Sequence, residues 1–271
     1  MWPRAILFDL DDTLFDHRRA SATAISAMHA AHAPTVCFEQ FALKHAEILE
    51  AFHTRFLNGE FTLNEARVAR MQTLFAAFDL KRDALTAECA ARLYREHHQA
   101  NRHLLPGAME LLETLREHCR LGIVTNNSKV EQIDKLRALD IARFFDAVVI
   151  SEEVGVTKPD PKIFSIALER IGASARDTVF VGDNWTNDIG GALNAGMTAV
   201  WLNHDDKTPA LADIAEQKWR ESRTSIGVSH SHFATIASLT PVAPVIAAIK
   251  TVFKNRPPGA TQHEQLATLA T

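Results

Sequence analysis

Three features of the 271-residue chain predict an α/β architecture. From Leu105-Pro106-Gly107 onward, stretches with helical periodicity alternate with short apolar runs, the pattern of parallel βαβ units with helices on both sheet faces. The runs themselves, such as AVVI at 147–150 and TVFV at 178–181, show no polar alternation, as suits strands buried on both sides. Residues 16–103, between the first strand and this region, carry helical spacing and hardly any strand signal. Together these features predict a Rossmann-like three-layer core with a parallel sheet, interrupted by an α-helical cap. The expected divisions are a core from 1–15 and 104–245, a cap from 16–103, and a flexible C-terminal tail over 246–271, where Pro-Pro-Gly and few large apolar residues occur.

Taken in order, the elements begin with a strand over 4–10, an apolar run that ends in aspartates. Four helical segments follow: ASATAISAMHAAH, FEQFALKHAEILEAFHTRFL, NEARVARMQTLFAAF and ALTAECAARLYREHH. Each spaces its apolar residues by three and four, with a loop expected at Asn58-Gly59. The core then reads as helix 108–118, strand 121–125, helix 129–139, strand 147–151, helix 161–171, strand 178–182, helix 188–195 and strand 198–202. Beyond 203 comes a polar stretch, then a late strand or helix ending near 249.

At 46% hydrophobic residues the chain can bury a full core. Its net charge of −4 supplies no basic field for a phosphate backbone, which argues against a nucleic acid polymer as partner. Cys37, Cys89 and Cys119 are odd in number and far apart, so a disulfide framework is not expected and a reducing, cytoplasmic setting fits best. The N-terminal apolar run is too short for a signal peptide, and no stretch approaches the roughly 20 apolar residues that span a bilayer. A soluble monomer or homodimer is expected.

Four strand ends carry the chemistry. The first ends in Asp9 and Asp11; GIVTNNS ends in Thr125, Asn126 and Asn127; EEVGVTKPDP carries Lys158; VFVGDNWTND holds Asp183 and Asp188. In a parallel sheet such ends converge on one crevice beyond the carboxyl edge. Several carboxylates there repel one another and call for a raised pKa or a bound cation. An oxygen-only donor set selects a hard ion, Mg²⁺, with Asp9 and Asp183 as its side-chain ligands. Asp9 and Asp11, two residues apart, can both face the crevice, so that one attacks while the other handles protons.

These residues resemble the four motifs of the haloacid dehalogenase superfamily, in the family's order. Asp9-Leu10-Asp11-Asp12-Thr13 is similar to its D-x-D-x-T motif, and Thr125, Lys158-Pro159 and the Gly182-Asp183…Asn187-Asp188 run to the other three. The resemblance spans residues 4–203 and includes a C1-type helical cap. It implies phosphoryl transfer through an aspartyl phosphate: Asp9 as nucleophile, Asp11 as general acid and base, and Lys158 as a positive charge beside them. Thr125, Asn126 and Asn127 would then bind substrate, and the backbone carbonyl of Asp11 would join Asp9 and Asp183 on Mg²⁺. Asp188, Asn187 and Thr13 would orient these groups. Within that family Asp11 favours phosphate over dehalogenase chemistry, and Thr13 resembles the phosphatases where phosphomutases of this cap class often carry Val, which implies water as the acceptor. VVISEEVGVTKPDPKIF and NGEFTLNEARVARMQTLF further resemble the pyrimidine 5'-nucleotidases and N-acylneuraminate-9-phosphatases, which implies a small phosphomonoester, a nucleoside monophosphate or sugar phosphate, as substrate. A 2-haloacid dehalogenase and a non-catalytic binding protein on the same fold are the alternatives.

Other conspicuous residues have plainer readings. Asp12 is expected to turn away from Asp9 and Asp11 into a structural or capping role, Asp16 and His17 to hydrogen-bond locally, and Asn127 and Ser128 to cap a helix. Glu96-His97-His98 reads as solvated surface rather than a metal site, and Phe52, Phe56, Phe61 and Phe75 as cap core. Trp201 ends a strand and reads as core or as a plug at the sheet edge.

Overall fold

The computed structural model describes residues 1–204 and 232–256. Strand β1 (Ala5–Phe8) leads into helices α1 (His17–His32), α2 (Phe38–Leu57), α3 (Leu63–Ala77) and α4 (Ala84–Ala100). The chain continues through α5 (Ala108–Arg116), β2 (Arg120–Thr125), α6 (Lys129–Ala138), β3 (Ala147–Ile150) and the single turn α7 (Ser151–Val154). Then come α8 (Pro161–Ile171), β4 (Thr178–Gly182), a π-helical turn over Trp185–Gly190, α9 (Gly191–Asn194), β5 (Thr198–Leu202), β6 (Phe233–Ile236) and α10 (Val242–Lys254).

The six strands form one parallel sheet in the order β3-β2-β1-β4-β5-β6. β1 lies at its centre, and its period of two sends Ile6 and Phe8 into one apolar layer and Ala5 and Leu7 into the other. Helices α5 and α10 cover the first layer through Leu111, Leu112, Leu115, Val245 and Ile249; α8 and α9 cover the second through Ile163, Phe164, Ala167 and Ala192. This is the three-layer α/β fold that the alternating pattern predicts.

Helices α1 to α4 bury a third apolar cluster of their own, including Met28, Phe41, Met71, Leu74 and Phe75. Their ends are capped as the sequence allows: Asp16 accepts from the Arg19 amide, Asp83 from the Thr86 amide, and Thr62 with Glu65 forms a reciprocal capping box. Asn58 and Gly59, the latter at φ +76°, turn the chain between α2 and α3. Two crossings join these helices to the core side by side, since the Leu105 amide donates to the Leu14 carbonyl and the Asp16 amide to the His103 carbonyl.

Three expectations need correction. The first strand stops at Phe8 rather than Leu10, because the Leu10 carbonyl accepts from the amides of Thr13, Leu14 and Phe15 and so closes a tight turn. The expected helix at 188–195 starts earlier, as the π-helical turn Trp185–Gly190 running into α9. The tail expected to be flexible from 246 is ordered to 256: α10 buries Val242, Val245, Ile249, Val252 and Phe253 against the sheet, an apolar stripe at helical spacing that straddles the expected boundary. The rest of that tail, 257–271, and the polar stretch over 205–231 lie outside the described residues. Among the described residues, no helix is long and apolar enough to cross a membrane.

Candidate active site

The strand order sets β2, β1 and β4 side by side with β3 at the flank, so all four loaded strand ends open onto one edge. They line a cavity of about 320 Å³ whose opposite wall comes from α2, α3 and α4. Asp9 still belongs to the ladder, its amide donating to the Val181 carbonyl, and that anchors its buried carboxylate at the end of β1. Asp12 follows at φ +57°, a left-handed position that aspartate tolerates; its carboxylate accepts from the Arg18 amide at 2.9 Å, and the residue still lines the cavity. Asp16 is likewise occupied locally, as the cap of α1.

Lys158 lies at the centre. Its Nζ donates to Asp9 Oδ1 at 2.5 Å and to Asp188 Oδ1 at 2.7 Å, and its side chain is 3% exposed. Asn126 holds it there from both sides, accepting from the Lys158 amide at 2.8 Å and donating to the Lys158 carbonyl at 2.9 Å. The residue expected to bind substrate thus also positions the lysine. Asp188 accepts a second bond from the Asn184 amide at 2.9 Å and packs so close to Gly182 that a Cβ there would lie 2.5 Å from its carboxylate. Glycine is therefore required at the end of β4 for Asp188 to reach the lysine.

Asp9, Asp183 and Asp188 offer carboxylate oxygens within 4.8 Å of one another. Thr13 Oγ1 sits between two of them, 3.4 Å from Asp9 Oδ2 and 3.4 Å from Asp183 Oδ1, and Trp201 Nε1 donates to the Asp183 carbonyl at 2.9 Å. Burial pushes Asp9 up to about 7, with Asp188 and Asp11 adding to the shift against the pull of Lys158. Asp183 is pushed by burial, then by Asp9, Asp188 and Asp12, up to about 8. For Lys158, the two aspartates outweigh the effect of burial and hold the ammonium charged well above the usual range. One ammonium for three carboxylates leaves an excess of negative charge on an oxygen-only set, and such a set fits a hard divalent cation.

Asp11 has a separate environment that the sequence reading missed. Its carboxylate accepts from Lys135 Nζ at 2.6 Å and from Gln132 Nε2 at 3.0 Å, and Gln132 Nε2 also lies 2.6 Å from Thr125 Oγ1. Burial acts to raise Asp11, yet Lys135, His17 and the two hydrogen bonds outweigh it and keep the carboxyl well below the usual range. Gln132 and Lys135 are polar residues on the buried face of α6 beside Leu136. That misfit in an amphipathic helix was the available signal.

The remaining expected residues fall as follows. Thr125, Asn127 and Asn187 line the same cavity; Asn127 Oδ1 also accepts from the Ser128 amide, and the Asn187 amide donates to Asn184 Oδ1. Ser128 caps α6. His98 is not solvated: it is buried against Phe15, Tyr94 and His17 and faces the cavity. Phe52 and Phe75 belong to the cap core and Phe56 and Phe61 pack against it; Phe52 and Phe56 also reach the cavity wall.

The haloacid dehalogenase-like hydrolase family model matches residues 3–196. The chain is 34% identical to a glyceraldehyde 3-phosphate phosphatase of Pyrococcus abyssi over 74% of its own length and 82% of that protein. It is also 34% identical to the pyrimidine 5'-nucleotidase YjjG of Escherichia coli, over 76% of this chain and 90% of that one. Among solved structures, the HAD-hydrolase YfnB of Bacillus subtilis, bound to magnesium, aligns with a TM-score of 0.70 at 25% identity, covering 91% of this chain and 100% of that one. With the sheet order, the four strand-end motifs and these matches together, the chain belongs to the haloacid dehalogenase-like hydrolases.

Proposed function

We propose that the protein is a Mg²⁺-dependent phosphatase that hydrolyses a small phosphomonoester through an aspartyl phosphate. The observation that carries this reading is the placement of Asp9, Asp11, Thr125 and Lys158 around one cavity, with Lys158 Nζ 2.5 Å from the Asp9 carboxylate. Asp9 Oδ attacks phosphorus, the ester P–O bond breaks, and Asp11 delivers a proton to the departing alkoxide. Water then attacks the acyl phosphate, Asp11 takes its proton, and inorganic phosphate leaves with Asp9 regenerated. The Lys158 ammonium offsets the approach of an anionic nucleophile to an anionic ester, and Thr125 with Asn126 and Asn127 holds the equatorial oxygens. Asp9, Asp183 and the Asp11 carbonyl would hold Mg²⁺, which supplies further positive charge at the transferring group. Thr13, Asn187 and Asp188 keep these groups oriented.

The two half-reactions need Asp11 in different forms. The contact with Lys135 favours the anion, the form that takes a proton from water; the first half needs the acid, so that contact has to loosen when substrate binds. The named phosphatase and nucleotidase relatives support phosphate over halide chemistry, as does a charged, hydrogen-bonded acid two residues after the nucleophile. We assign catalysis to 1–15 with 104–245 and substrate enclosure to 16–103. The partner is a small phosphorylated metabolite, in the cytosol, with the protein a monomer or homodimer. Asp9→Asn should abolish release of p-nitrophenol from its phosphate in Mg²⁺ while the circular dichroism spectrum stays that of the parent. Retained turnover would exclude Asp9 as nucleophile.

A further inference from the structure

The wall of the cavity formed by α2, α3 and α4 contains a cation without a counterion. Arg70, on α3, is 9% exposed and lines the cavity, yet no hydrogen bond or ion pair within the described residues reaches its guanidinium, and its Nε is buried without a partner. Its guanidinium lies over the ring of Tyr94, 4.9 Å from Cζ, and the Tyr94 hydroxyl is itself buried and unpartnered in the same wall. A cation over an aromatic face recovers only part of what an arginine loses on leaving water.

The other cavity cations are accounted for. Lys158 pairs with Asp9 and Asp188, Lys135 with Asp11, and Arg67 with Glu131 at 2.6 Å. Arg95 is exposed and can be hydrated. His17, His53 and His98 are held below their ordinary range by burial and stay neutral at pH 7. Glu50, the remaining acid on this side, is exposed and is not among the groups that act on Arg70, whereas Arg67 adds repulsion. A neutral base or a sugar hydroxyl would leave Arg70 uncompensated; an oxyanion would satisfy both its charge and its planar fork of donors.

We propose that Arg70, assisted by the Tyr94 hydroxyl, receives a carboxylate at the end of the substrate away from the phosphoryl group, so that the enzyme's substrates are phosphorylated carboxylic acids. This inference rests on the phosphatase reading above and narrows its substrate class. A carboxylate matches the guanidinium fork in two parallel hydrogen bonds and brings one negative charge to one positive charge, which a second phosphate would exceed.

The test is a set of size-matched phosphomonoesters assayed with Mg²⁺: 3-phosphoglycerate against glycerol 3-phosphate, 6-phosphogluconate against glucose 6-phosphate, and orotidine against uridine 5'-monophosphate. Fructose 1,6-bisphosphate against the 6-phosphate supplies the second-phosphate arm. The expected result is a kcat/KM preference of about tenfold or more for the acid in at least one pair, carried mainly by KM, as a charge-assisted contact supplies. In Arg70→Met that ratio should fall to near one, and Arg70→Lys should restore part of it. Turnover of the panel with no preference for any acid, or a preference for the bisphosphate alone, overturns the inference while leaving the phosphatase reading in place. Failure to hydrolyse every member, p-nitrophenyl phosphate included, overturns that reading itself.

Discussion

At the scale of single residues, the site sets one ammonium, Lys158, against the carboxylates of Asp9, Asp183 and Asp188. Asp183 has no ammonium of its own, and its carboxyl is raised to about 8 by burial and by the aspartates around it. Asp183→Asn should therefore raise the melting temperature of the metal-free protein at pH 8, by about 3 °C or more if the relieved repulsion is of order 1 kcal/mol. The same variant should lose the stabilisation that added Mg²⁺ gives the parent. Differential scanning fluorimetry with EDTA and with Mg²⁺ checks both; an unchanged Mg²⁺ response in the variant would remove Asp183 from the ligand set. Asp9, Thr125, Lys158, Asp183 and Asp188 were legible in the sequence because each sits at or just past a strand end in a short motif. Gln132 and Lys135 showed only as polar misfits on the apolar face of a helix, and Arg70 gave no signal, since a polar residue inside a helix reads as a solvated face until the neighbouring elements are in place.

At the scale of elements, strands and amphipathic helices were readable from apolar spacing, and the main departures have local causes. The turn after Phe8 is made by backbone bonds to Leu10 that no periodicity reports, and the π-helical turn at 185–190 widens the path of the chain just where Asp188 must face Lys158. His45 on α2 is buried against Tyr94 and His98 on α4 against Phe15 and His17, and both are pushed down to about 3 chiefly by burial. Their folded values lie below the ordinary 6.5, so the unfolded chain binds more protons between these limits. The stability they contribute is whole above pH 6.5 and is lost as pH falls through that window, by up to about 2 kcal/mol for each at pH 5. Urea midpoints at pH 7.5 and pH 5 should separate accordingly, and His45→Phe with His98→Phe should shrink the separation. An equal separation in the double variant would show that other groups carry the acid sensitivity.

At the scale of the whole molecule, the sheet is completed from the far end of the chain: β6 pairs with β5, and α10 closes the layer that α5 begins. Five buried apolar side chains on α10, at roughly 1.5–3 kcal/mol each, rival the 5–15 kcal/mol that holds a typical domain together. A chain ending at residue 241 should accordingly be recovered insoluble or with a molten near-ultraviolet spectrum; a cooperative melt close to that of the parent would show that α10 is dispensable. The tryptophans near the site have a practical use. Trp201 donates its indole N–H to the backbone of Asp183, and Trp185 stacks edge-on against it with ring centroids 5.0 Å apart. Cation capture at Asp183, as proposed above, would take place beside two fluorophores and would give the protein an intrinsic optical gauge of occupancy. Emission near the ultraviolet edge should change on titration with Mg²⁺, return on chelation, and stay flat in Asp183→Asn, so that affinity for the ion can be measured without any substrate.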